Sequence, residues 1–440
     1  MKPRAISTSQ QPHAPPLIPV DEALETILAH FAPLGSEVVA LHEAHRRILA
    51  DDLIAPHDLP PFRNSAMDGY ALRAADIVGA STERPRWLPV AGLSAAGDPP
   101  PATLPVGAAM RIMTGAPLPR GADTVVRFEE TSEGWEAVNR PADGVLILRS
   151  EREGANVRCA GEDVRAGERV LTAGSPLHPP QIALLAALGQ AQVAVVRRPR
   201  VGILATGDEL LPPDAPLAPG RIRNSNEAML AAWVAQVGGE PWPLGIARDE
   251  ATALRAKLAE ALAVGCDLIL TSAGVSVGDF DRVKEVLAAE GEMHFWQVAI
   301  KPGKPLAFGV VRHGERHVPL LGLPGNPVAS AVAFHVFAQP AIRRMGQRWP
   351  LAPPRRTAQL AEPVHNSGRR HYLRAFAWRD EDGTLRVTTR GSGVQRQGSG
   401  ILSVLAWANC FAIVPEDVYY LETNQPIAVE PIQWAEEEWN

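Results

Sequence analysis

The sequence has few cysteines and no long apolar run, and both absences narrow the class of protein. Its 440 residues include only Cys159, Cys266 and Cys410, which stand far apart and form no Cys-x-x-Cys pair. This spacing argues against a zinc site or a disulfide framework and favours a reducing cytoplasm. No apolar stretch is long enough to span a membrane, and the N-terminus lacks the apolar core of a secretory signal. We therefore expect a cytoplasmic protein without a membrane segment, beginning with a disordered tail over 1–17.

The chain also lacks an excess of positive charge. Its formal net charge is -6, which argues against a general nucleic-acid coat but allows one small anion in a basic pocket. Neither a Walker P-loop nor a Rossmann fingerprint is present. The stretch "HEAH" (42–45) is one residue short of the zinc-protease spacing, so we interpret it as a surface helix.

Several domains are expected from the length and from the abundance of turn-forming residues. A chain of 440 residues is too long for one core, and its 41 prolines and 37 glycines favour turns and short strands. Short β-like runs dominate residues 55–148 and return after 350, predicting two small β domains. Apolar residues at helical spacing predict a helix over 21–34 with Asp21 as its N-cap, and a second over 180–189.

Residues 200–344 alternate strand, loop and helix. Strands are predicted at 201–205, 267–270 and 320–323, and helices at 229–237 and 254–262. This alternation predicts a mostly parallel, doubly wound α/β sheet. Such sheets bind ligands at the carboxyl ends of their strands.

Five polar clusters follow predicted strands in this α/β region and would form one rim of glycine, hydroxyl, carboxylate and lysine. They are "TGDE" (206–209), "NSN" (224–226), "TSAGVSVGDFD" (271–281), "KPGK" (301–304) and "PGNP" (324–327). Glycines let backbone N–H groups approach an anion, and carboxylates such as Glu209 and Asp281 are suited to Mg²⁺. Lys301 and Lys304 place two point charges on one short loop, which suits an oxyanion.

Each cluster also has a simpler interpretation when taken alone. Asp279 or Asp281 could cap a helix, and the two lysines could belong to a solvated loop. Asn326 could be an N-cap with Pro327 at the first helical position. In the first β-like region, Asp68 and Thr114 could be plain turn residues. The shared position of the clusters after strands favours a site.

Seven motifs, in order along the chain, resemble the MoeA family of molybdopterin molybdenumtransferases, whose animal relative is the E domain of gephyrin. The motifs are "NSAMDGYAL" (64–72), "RIMTGAPLP" (111–119), "GEDV" (161–164), "ILATGDEL" (203–210), "TSAGVSVGDFD" (271–281), "IKPGKPLAFG" (300–309) and "LPGNPVAS" (323–330). The α/β module alone is shared with molybdopterin adenylyltransferases. The "SAMDGYA" segment and the C-terminal β region single out the transferase.

The resemblance implies a multidomain α/β plus β subunit in a homodimer. Domain I would combine 18–50 with 149–180 and serve as linker and dimerisation region, and domain II would be the β insertion 51–148. Domain III would be the α/β molybdopterin-binding module 181–346, and domain IV a β-barrel-like region 347–440. In the family the active cleft lies between domain III of one subunit and domain II of the other.

The resemblance further implies a reaction in which molybdenum from molybdate enters adenylylated molybdopterin with Mg²⁺-dependent release of AMP. Asp281, Glu209, Asp68 and Thr114 would be catalytic, and Asp281 and Glu209 would hold the metal. Substrate would be bound by Ser272, Gly274, Ser276, Gly278, Lys301, Lys304, Pro305, Pro324, Gly325, Asn326, Pro327, Arg374, Ser399 and Asp249. The molybdopterin adenylyltransferase is a candidate partner, and neither nucleic acid nor membrane is expected to bind.

The chain departs from the family pattern at two positions, and two other functions remain open. Ala273 stands where the family usually has glycine, and Ala329 where it usually has serine, with Ser330 next. Asp163 matches an acidic family position and is either structural or catalytic.

A scaffold protein that keeps the fold is one alternative function, but it would tolerate loss of Glu209, Asp281 and the lysines. An adenylyltransferase-like nucleotide enzyme is the other, and the extra β domains argue against it.

Overall fold

The structure is a computed structural model, and it describes residues 17–134, 143–272, 286, 289, 291–313, 316–390 and 397–432. The chain divides into two compact units. The small unit comprises Val38–His45 and Leu49–Val195, and the large unit comprises the chain up to Glu37, Arg46–Ile48 and the chain from Val196. None of the helices in the described part of the chain combines the length and apolarity that a bilayer crossing needs.

Helices and strands alternate along much of the chain. The helices are Val20–Leu28, Pro179–Ala187, Ser225–Gln236, Ala251–Ala263, Pro327–Ala333, Gln339–Met345 and Leu402–Trp407, with 3₁₀ turns at Leu41–Glu43, Ala74–Ile77 and Phe128–Glu130 and a π-helical turn at Phe334–Ala338. The first eleven strands are β1 (Ser36–Ala40), β2 (Leu53–Ile54), β3 (Asn64–Ser65), β4 (Gly69–Leu72), β5 (Arg86–Ser94), β6 (Ala109–Ile112), β7 (Thr124–Arg127), β8 (Gly144–Ile147), β9 (Val157–Arg158), β10 (Arg169–Leu171) and β11 (Gln192–Val196). The others are β12 (Arg200–Thr206), β13 (Leu210–Leu211), β14 (Ile222–Arg223), β15 (Glu240–Ala247), β16 (Leu268–Ser272), β17 (Gly291–Gln297), β18 (Ile300–Lys301), β19 (Pro305–His313), β20 (Arg316–Leu323), β21 (Arg356–Leu360), β22 (Val364–His365), β23 (Arg370–Arg379), β24 (Leu385–Thr388), β25 (Cys410–Val414), β26 (Tyr420–Leu421) and β27 (Pro426–Pro431).

The small unit contains a five-stranded sheet in the order β7-β4-β6-β5-β8. Successive side chains of a strand point to opposite faces, and both faces of β4 are covered. Tyr70 and Leu72 pack into one apolar cluster, while Ala71 packs into the other. The short strands predicted between 55 and 148 are therefore present, although the division of the chain into four domains stays a prediction.

Gly69, the first residue of β4, allows a close approach to the neighbouring strand. A methyl group at this position would lie 2.0 Å from the carbonyl oxygen of Val126 on β7. We expect Gly69→Ala to destabilise the small unit by roughly 1–3 kcal/mol, since backbone must move to relieve the clash. Urea denaturation would measure the change. Gly35→Ala is the control, because no atom lies within 4 Å of the added methyl group. Equal urea midpoints for the two variants would contradict the interpretation that Gly69 is needed for the close approach of the two strands.

The large unit contains the doubly wound sheet that the sequence predicts. Its strand order is β15-β12-β16-β20-β19-β17, and the first four strands are parallel. Both faces are covered. Leu230 and Val234 of one helix pack on one face, and Leu254 and Leu258 of the next pack on the other. The sheet is less parallel than its repeating pattern indicates, because β19 and β17 form an antiparallel edge.

The C-terminal part of the large unit is a closed barrel. Its strands follow the order β18-β23-β24-β21-β27-β25, and the additional pairing of β23 with β25 closes the ring. Leu373 and Ala375 of β23 face the interior, whereas Tyr372 packs outward against the core of the α/β region. The expectation of a β-barrel-like C-terminal region is confirmed.

The first helix differs from its prediction at both ends. Its N-cap is Pro19, and Asp21 lies in the first turn, where both its carboxylate oxygens accept hydrogen bonds from Arg370 at 2.6 and 2.8 Å. The prediction of Asp21 as N-cap is therefore wrong. The helix ends at Leu28 rather than at residue 34. Pro33 excludes a helix that continues to residue 34, since proline has no N–H to donate and disfavours helical geometry in the residue before it. The "HEAH" segment forms a 3₁₀ turn at Leu41–Glu43.

Candidate functional site

The polar clusters of the large unit line two adjoining cavities at the carboxyl edge of the sheet. The first, the edge cleft, measures about 390 Å³ and is lined by Thr206, Glu209, Leu210, Ile222, Arg223, Asn224, Ser225, Asn226, Ser272, Pro305, Pro324, Gly325, Asn326 and Pro327. The second, the lysine cavity, measures about 300 Å³ and is lined by Lys301, Pro302, Gly303, Lys304, Pro305, Pro324, Asn326, Ala329, Arg369, His371, Gln397 and Ser399. Pro305, Pro324 and Asn326 belong to both walls.

Antiparallel pairing brings the lysine loop to this edge. Parallel strands β12, β16 and β20 end here, and β19 runs in the opposite direction. Because Ala307 of β19 pairs with Gly322 of β20, the start of β19 lies beside the end of β20. The loop 301–304 immediately precedes β19 and therefore meets the 324–327 turn.

Glu209 presents its carboxylate in the edge cleft, directly over Gly207. Gly207 has a φ of +140°, and a methyl group there would lie 2.3 Å from Oε2 of Glu209. Glycine is therefore required twice, for the backbone conformation and for the approach of the carboxylate. The Glu209 side chain is exposed to the cleft, and its carbonyl oxygen accepts from the N–H of Ile222.

Asn226 connects two walls of the edge cleft. Its Nδ2 donates to Oγ of Ser272 at the end of β16 (2.7 Å) and to the carbonyl oxygen of Gly325 (2.8 Å). Its Oδ1 is buried and has no partner among the described residues, as is the case for Oγ1 of Thr206 in the same cleft. Buried polar atoms are nearly always paired, so these two atoms favour a bound polar ligand.

Asn326 occupies the N-cap of the helix Pro327–Ala333, and Pro327 is its first residue, as the sequence predicts. Its side chain makes no capping hydrogen bond. Instead, Asn326 lines both cavities, together with Pro324 and Pro305. The capping interpretation therefore accounts for the backbone of Asn326 but leaves its amide group available to a ligand.

Positive charge is concentrated on the lysine cavity. Lys301, Lys304 and Arg369 line it, and Nη1 of Arg369 donates to the carbonyl oxygen of Ile300 at 3.3 Å. Burial and the neighbouring Arg369 lower the pKa of Lys301 below its usual value. The described residues that line the cavity include no carboxylate, so the cavity suits an anion.

Arg374 lies next to this cavity rather than in its wall. It is fully buried, and its Nη2 donates to the carbonyl oxygen of Gly398 at 3.1 Å. The side chain of Gln397 bonds to both backbone polar groups of Arg374. Arg374 thus supports the residues Gln397 and Ser399, which do line the cavity. Burial lowers the pKa of Arg374 to about 10.

The hydroxyl missing at Ala329 is not replaced by its neighbour. Ala329 lines the lysine cavity, whereas Ser330 is fully buried outside the lining and its Oγ has no partner among the described residues. A methyl group therefore stands where the family pattern has a hydroxyl.

Asp68 and Thr114 lie together in the small unit. Oδ1 of Asp68 accepts from the backbone N–H of Thr114 (2.6 Å) and from its Oγ1 (2.7 Å). These hydrogen bonds, led by the backbone one, hold the pKa of the Asp68 carboxyl below its usual value. Asp163 lies elsewhere in this unit, in a cavity of about 470 Å³ that Arg158 also lines.

The other predicted site residues either lie outside the described part of the chain or line neither cavity. Asp281, Gly274, Ser276 and Gly278 lie outside the described residues, as do Ala273 and Asp279. Asp249 follows β15 on the exposed surface, and its N–H donates to Oδ1 of Asp208 at 3.4 Å. It lines neither of the two cavities.

Sequence reasoning missed three residues of this region: His371 and Arg369 in the lysine cavity, and Asn226 as the link between walls. Asn226 belongs to a cluster noted for its polarity, but its role depends on a contact with Gly325. The basic run "GRRHYLR" (368–374) was the only signal for the other two.

Family comparison covers nearly the whole described chain. The family described as the MoeA N-terminal region (domain I and II) matches residues 18–189, and the one described as a probable molybdopterin binding domain matches 202–344. The MoeA C-terminal region (domain IV) matches 357–432.

Curated relatives and solved structures agree with this assignment. The chain is 36% identical to a molybdopterin molybdenumtransferase of Haemophilus influenzae, over 94% of this chain and 98% of the relative. It is 38% identical to the protein of that name in Bacillus subtilis, over 94% of this chain and 93% of the relative. A crystal structure of the molybdopterin biosynthesis MoeA protein from Pyrococcus horikoshii superposes with a TM-score of 0.73 at 30% identity, covering 94% of this chain and 100% of that one.

Proposed function

This chain belongs to the MoeA family, and from that premise we propose that it is a molybdopterin molybdenumtransferase of molybdenum cofactor biosynthesis. It inserts molybdenum from molybdate into adenylylated molybdopterin, and AMP is released as the pyrophosphate link is hydrolysed. The observation that carries the proposal is the pair of adjoining cavities. The edge cleft offers oxygen ligands and backbone groups at the ends of the strands, and the lysine cavity offers positively charged side chains.

The edge cleft is proposed to bind the phosphate end of adenylylated molybdopterin. Gly325 and Pro324 line it on a loop whose backbone a ligand can approach, and Ser272 and Asn226 place polar atoms beside that loop. Asn226 orients the loop by holding Ser272 and Gly325 together. The unpartnered Oδ1 of Asn226 is available to a donor on the substrate.

Mg²⁺ fits the donor set of the edge cleft. Mg²⁺ prefers oxygen ligands and is usually held by one or two carboxylates together with substrate phosphates and water. The cleft presents the Glu209 carboxylate and the unpartnered Oγ1 of Thr206, and Asp281 is proposed as the second carboxylate. When bound, the metal would neutralise phosphate charge and polarise the phosphorus atom.

The lysine cavity is proposed to bind molybdate, a tetrahedral dianion. Lys301 and Lys304 would donate charge-assisted hydrogen bonds to its oxygens. Ser399 adds a hydroxyl from the barrel side, and the buried Arg374 holds the loop that carries it. Because the two cavities share Pro305, Pro324 and Asn326, molybdate would lie next to the bound pterin substrate.

Asp68 and Thr114 are proposed to complete the site from a second subunit of a homodimer. Their mutual hydrogen bonds keep the Asp68 carboxylate ionised and fixed in direction. The molybdopterin adenylyltransferase is proposed as the partner that delivers the substrate. The three cysteines are unpaired, which supports a cytoplasmic location.

The proposal is tested by incubating the protein with adenylylated molybdopterin, molybdate and Mg²⁺. Glu209→Gln removes one charge without changing shape, and we expect it to slow AMP release at least tenfold, or ~1.4 kcal/mol. The variant should also require more Mg²⁺ for half-maximal rate. Glu260→Gln is the control, since Glu260 pairs with Lys257 on a surface helix. If the native protein released no AMP and formed no molybdenum cofactor, the proposal would fail.

A further inference from the structure

His371 is a buried imidazole in the wall of the lysine cavity. It lies on β23 and is only 5% exposed. In the pairing of β18 with β23, His371 is the register partner of Lys301. Paired residues of neighbouring strands share a face of the sheet, so the imidazole and the Lys301 side chain leave the backbone side by side. On its other side, β23 pairs His371 with Val414 of β25, which contributes no charge.

One ring nitrogen of His371 lacks a partner. Nδ1 is buried and accepts or donates no hydrogen bond among the described residues. Buried side-chain polar atoms in folded proteins are nearly always satisfied by protein or by an ordered ligand or water. The imidazole belongs to a residue that lines a cavity of about 300 Å³, so a bound molecule can contact the ring.

Every charged described residue that lines this cavity is a cation. Lys301, Lys304 and Arg369 share its wall with His371, and Arg374 lies buried three residues further along the strand. Burial, followed by Lys301, Arg374 and Arg369, lowers the pKa of His371 to about 3. At neutral pH the imidazole is therefore uncharged as long as the cavity holds no anion.

A bound dianion raises the pKa of His371. It offsets the repulsion from the three lining cations and places negative charge next to the imidazole. An opposite charge nearby favours the protonated form. We propose that His371 is a ligand of the oxyanion in the lysine cavity and that oxyanion binding is coupled to uptake of one proton on its imidazole. The proposal rests on the proposed function, because it takes the lysine cavity as the molybdate site.

The coupling has a definite sign. The complex binds one more proton than the free protein, so affinity must rise as the pH falls. Between the pKa of His371 in the free protein and the higher pKa that it acquires in the complex, molybdate affinity is expected to fall by up to about tenfold per pH unit, and above the pKa of the complex it should level off. The neutral imidazole still offers a hydrogen bond, so binding persists at higher pH in weaker form.

Calorimetric titration of the full-length protein with sodium molybdate tests the proposal. At pH 7, titrations in two buffers of different ionisation enthalpy give the number of protons taken up per anion. We expect a value approaching one for the native protein. His371→Asn keeps a hydrogen-bonding group near the position of Nδ1 but cannot titrate, and its proton count should be close to zero. His317→Asn is the control, since His317 is exposed on β20 and lines neither cavity.

The outcomes separate this inference from the proposed function. If the native protein binds molybdate without proton uptake, the proposed role of His371 is wrong but the molybdate site is retained. This outcome does not depend on whether the His371→Asn variant folds. Equal proton counts in the native protein and a folded His371→Asn variant overturn it as well. Absence of molybdate binding, or binding that is unaffected by loss of Lys301 and Lys304, overturns the site itself and the inference with it.

Discussion

Replacement of Lys301 and Lys304 together by methionine is expected to weaken molybdate binding by about 10²–10⁴-fold. Hydrogen bonds to charged groups contribute about 1.5–3 kcal/mol each, and each 1.4 kcal/mol is tenfold in affinity. Methionine preserves most of the aliphatic stem, so the cavity should keep its shape. Both lysines line the cavity, and no lining carboxylate neutralises them among the described residues. Calorimetric titration with molybdate measures the loss.

The double variant should retain the edge cleft, because neither lysine lines it. We therefore expect it to bind adenylylated molybdopterin with nearly native affinity while failing to incorporate molybdenum. Lys257→Met is the matched control, since Lys257 pairs with Glu260 on a surface helix of the same unit. Nearly native molybdate affinity in the double variant would place the anion elsewhere, and parallel loss of both ligands would indicate a damaged fold.

Much of the α/β fold could be predicted because its signals are local. Apolar spacing identified the helices Ser225–Gln236 and Ala251–Ala263, and buried runs identified β12, β16 and β20. The antiparallel edge was missed, since strand direction follows from long-range pairing that residue pattern does not encode. Pro33 is a local signal that the first helix cannot continue to residue 34, and the predicted span passes over it.

The lining of the candidate site could be predicted where a loop directly follows a strand. Glu209, Ser272 and Gly325 all line the edge cleft as expected, because the carboxyl ends of parallel strands share an edge. Arg374 behaves differently. Side chains alternate along a strand, so residues three apart face opposite sides, and β23 cannot point both His371 and Arg374 into one cavity. Only the pairing of β18 with β23 identifies which residue faces Lys301.

A second large effect is expected at Glu430, which links the barrel to the α/β region. Its Oε2 lies 2.8 Å from Nε2 of His335, and its Oε1 accepts from Nε of Arg355 at 2.7 Å. Glu430 and His335 are both buried, and His335 lies in the π-helical turn Phe334–Ala338. Burial raises the pKa of the Glu430 carboxyl, but the bonds from His335 and Arg355 outweigh it, so the pKa lies below its usual value.

Glu430→Gln should lower the free energy of unfolding of the large unit by roughly 1.5–3 kcal/mol, since it removes the charge from a buried hydrogen-bond acceptor. The loss is no larger because the Arg355 side chain that remains is 60% exposed. A carboxyl with a depressed pKa stabilises the fold above the unfolded pKa of about 4.3, and this contribution is lost as pH falls through the folded pKa. The difference between native protein and variant should therefore be full at pH 7 and shrink below about pH 4. Urea denaturation across this pH range measures it.

The control for Glu430→Gln is Glu416→Gln, which makes the same chemical change at a more exposed ion pair. Glu416 lies 3.0 Å from Arg370, and its side chain is 33% exposed. Such pairs contribute about 0–1 kcal/mol, and Arg370 keeps its two bonds to Asp21. Equal losses of stability in the two variants would contradict the prediction that the Glu430 charge stabilises the large unit through His335 and Arg355. A loss at Glu430 that did not depend on pH would contradict it as well. A difference confined to Glu430 would instead identify the buried Glu430 carboxylate as a main stabilising contact between the barrel and the helices behind the site.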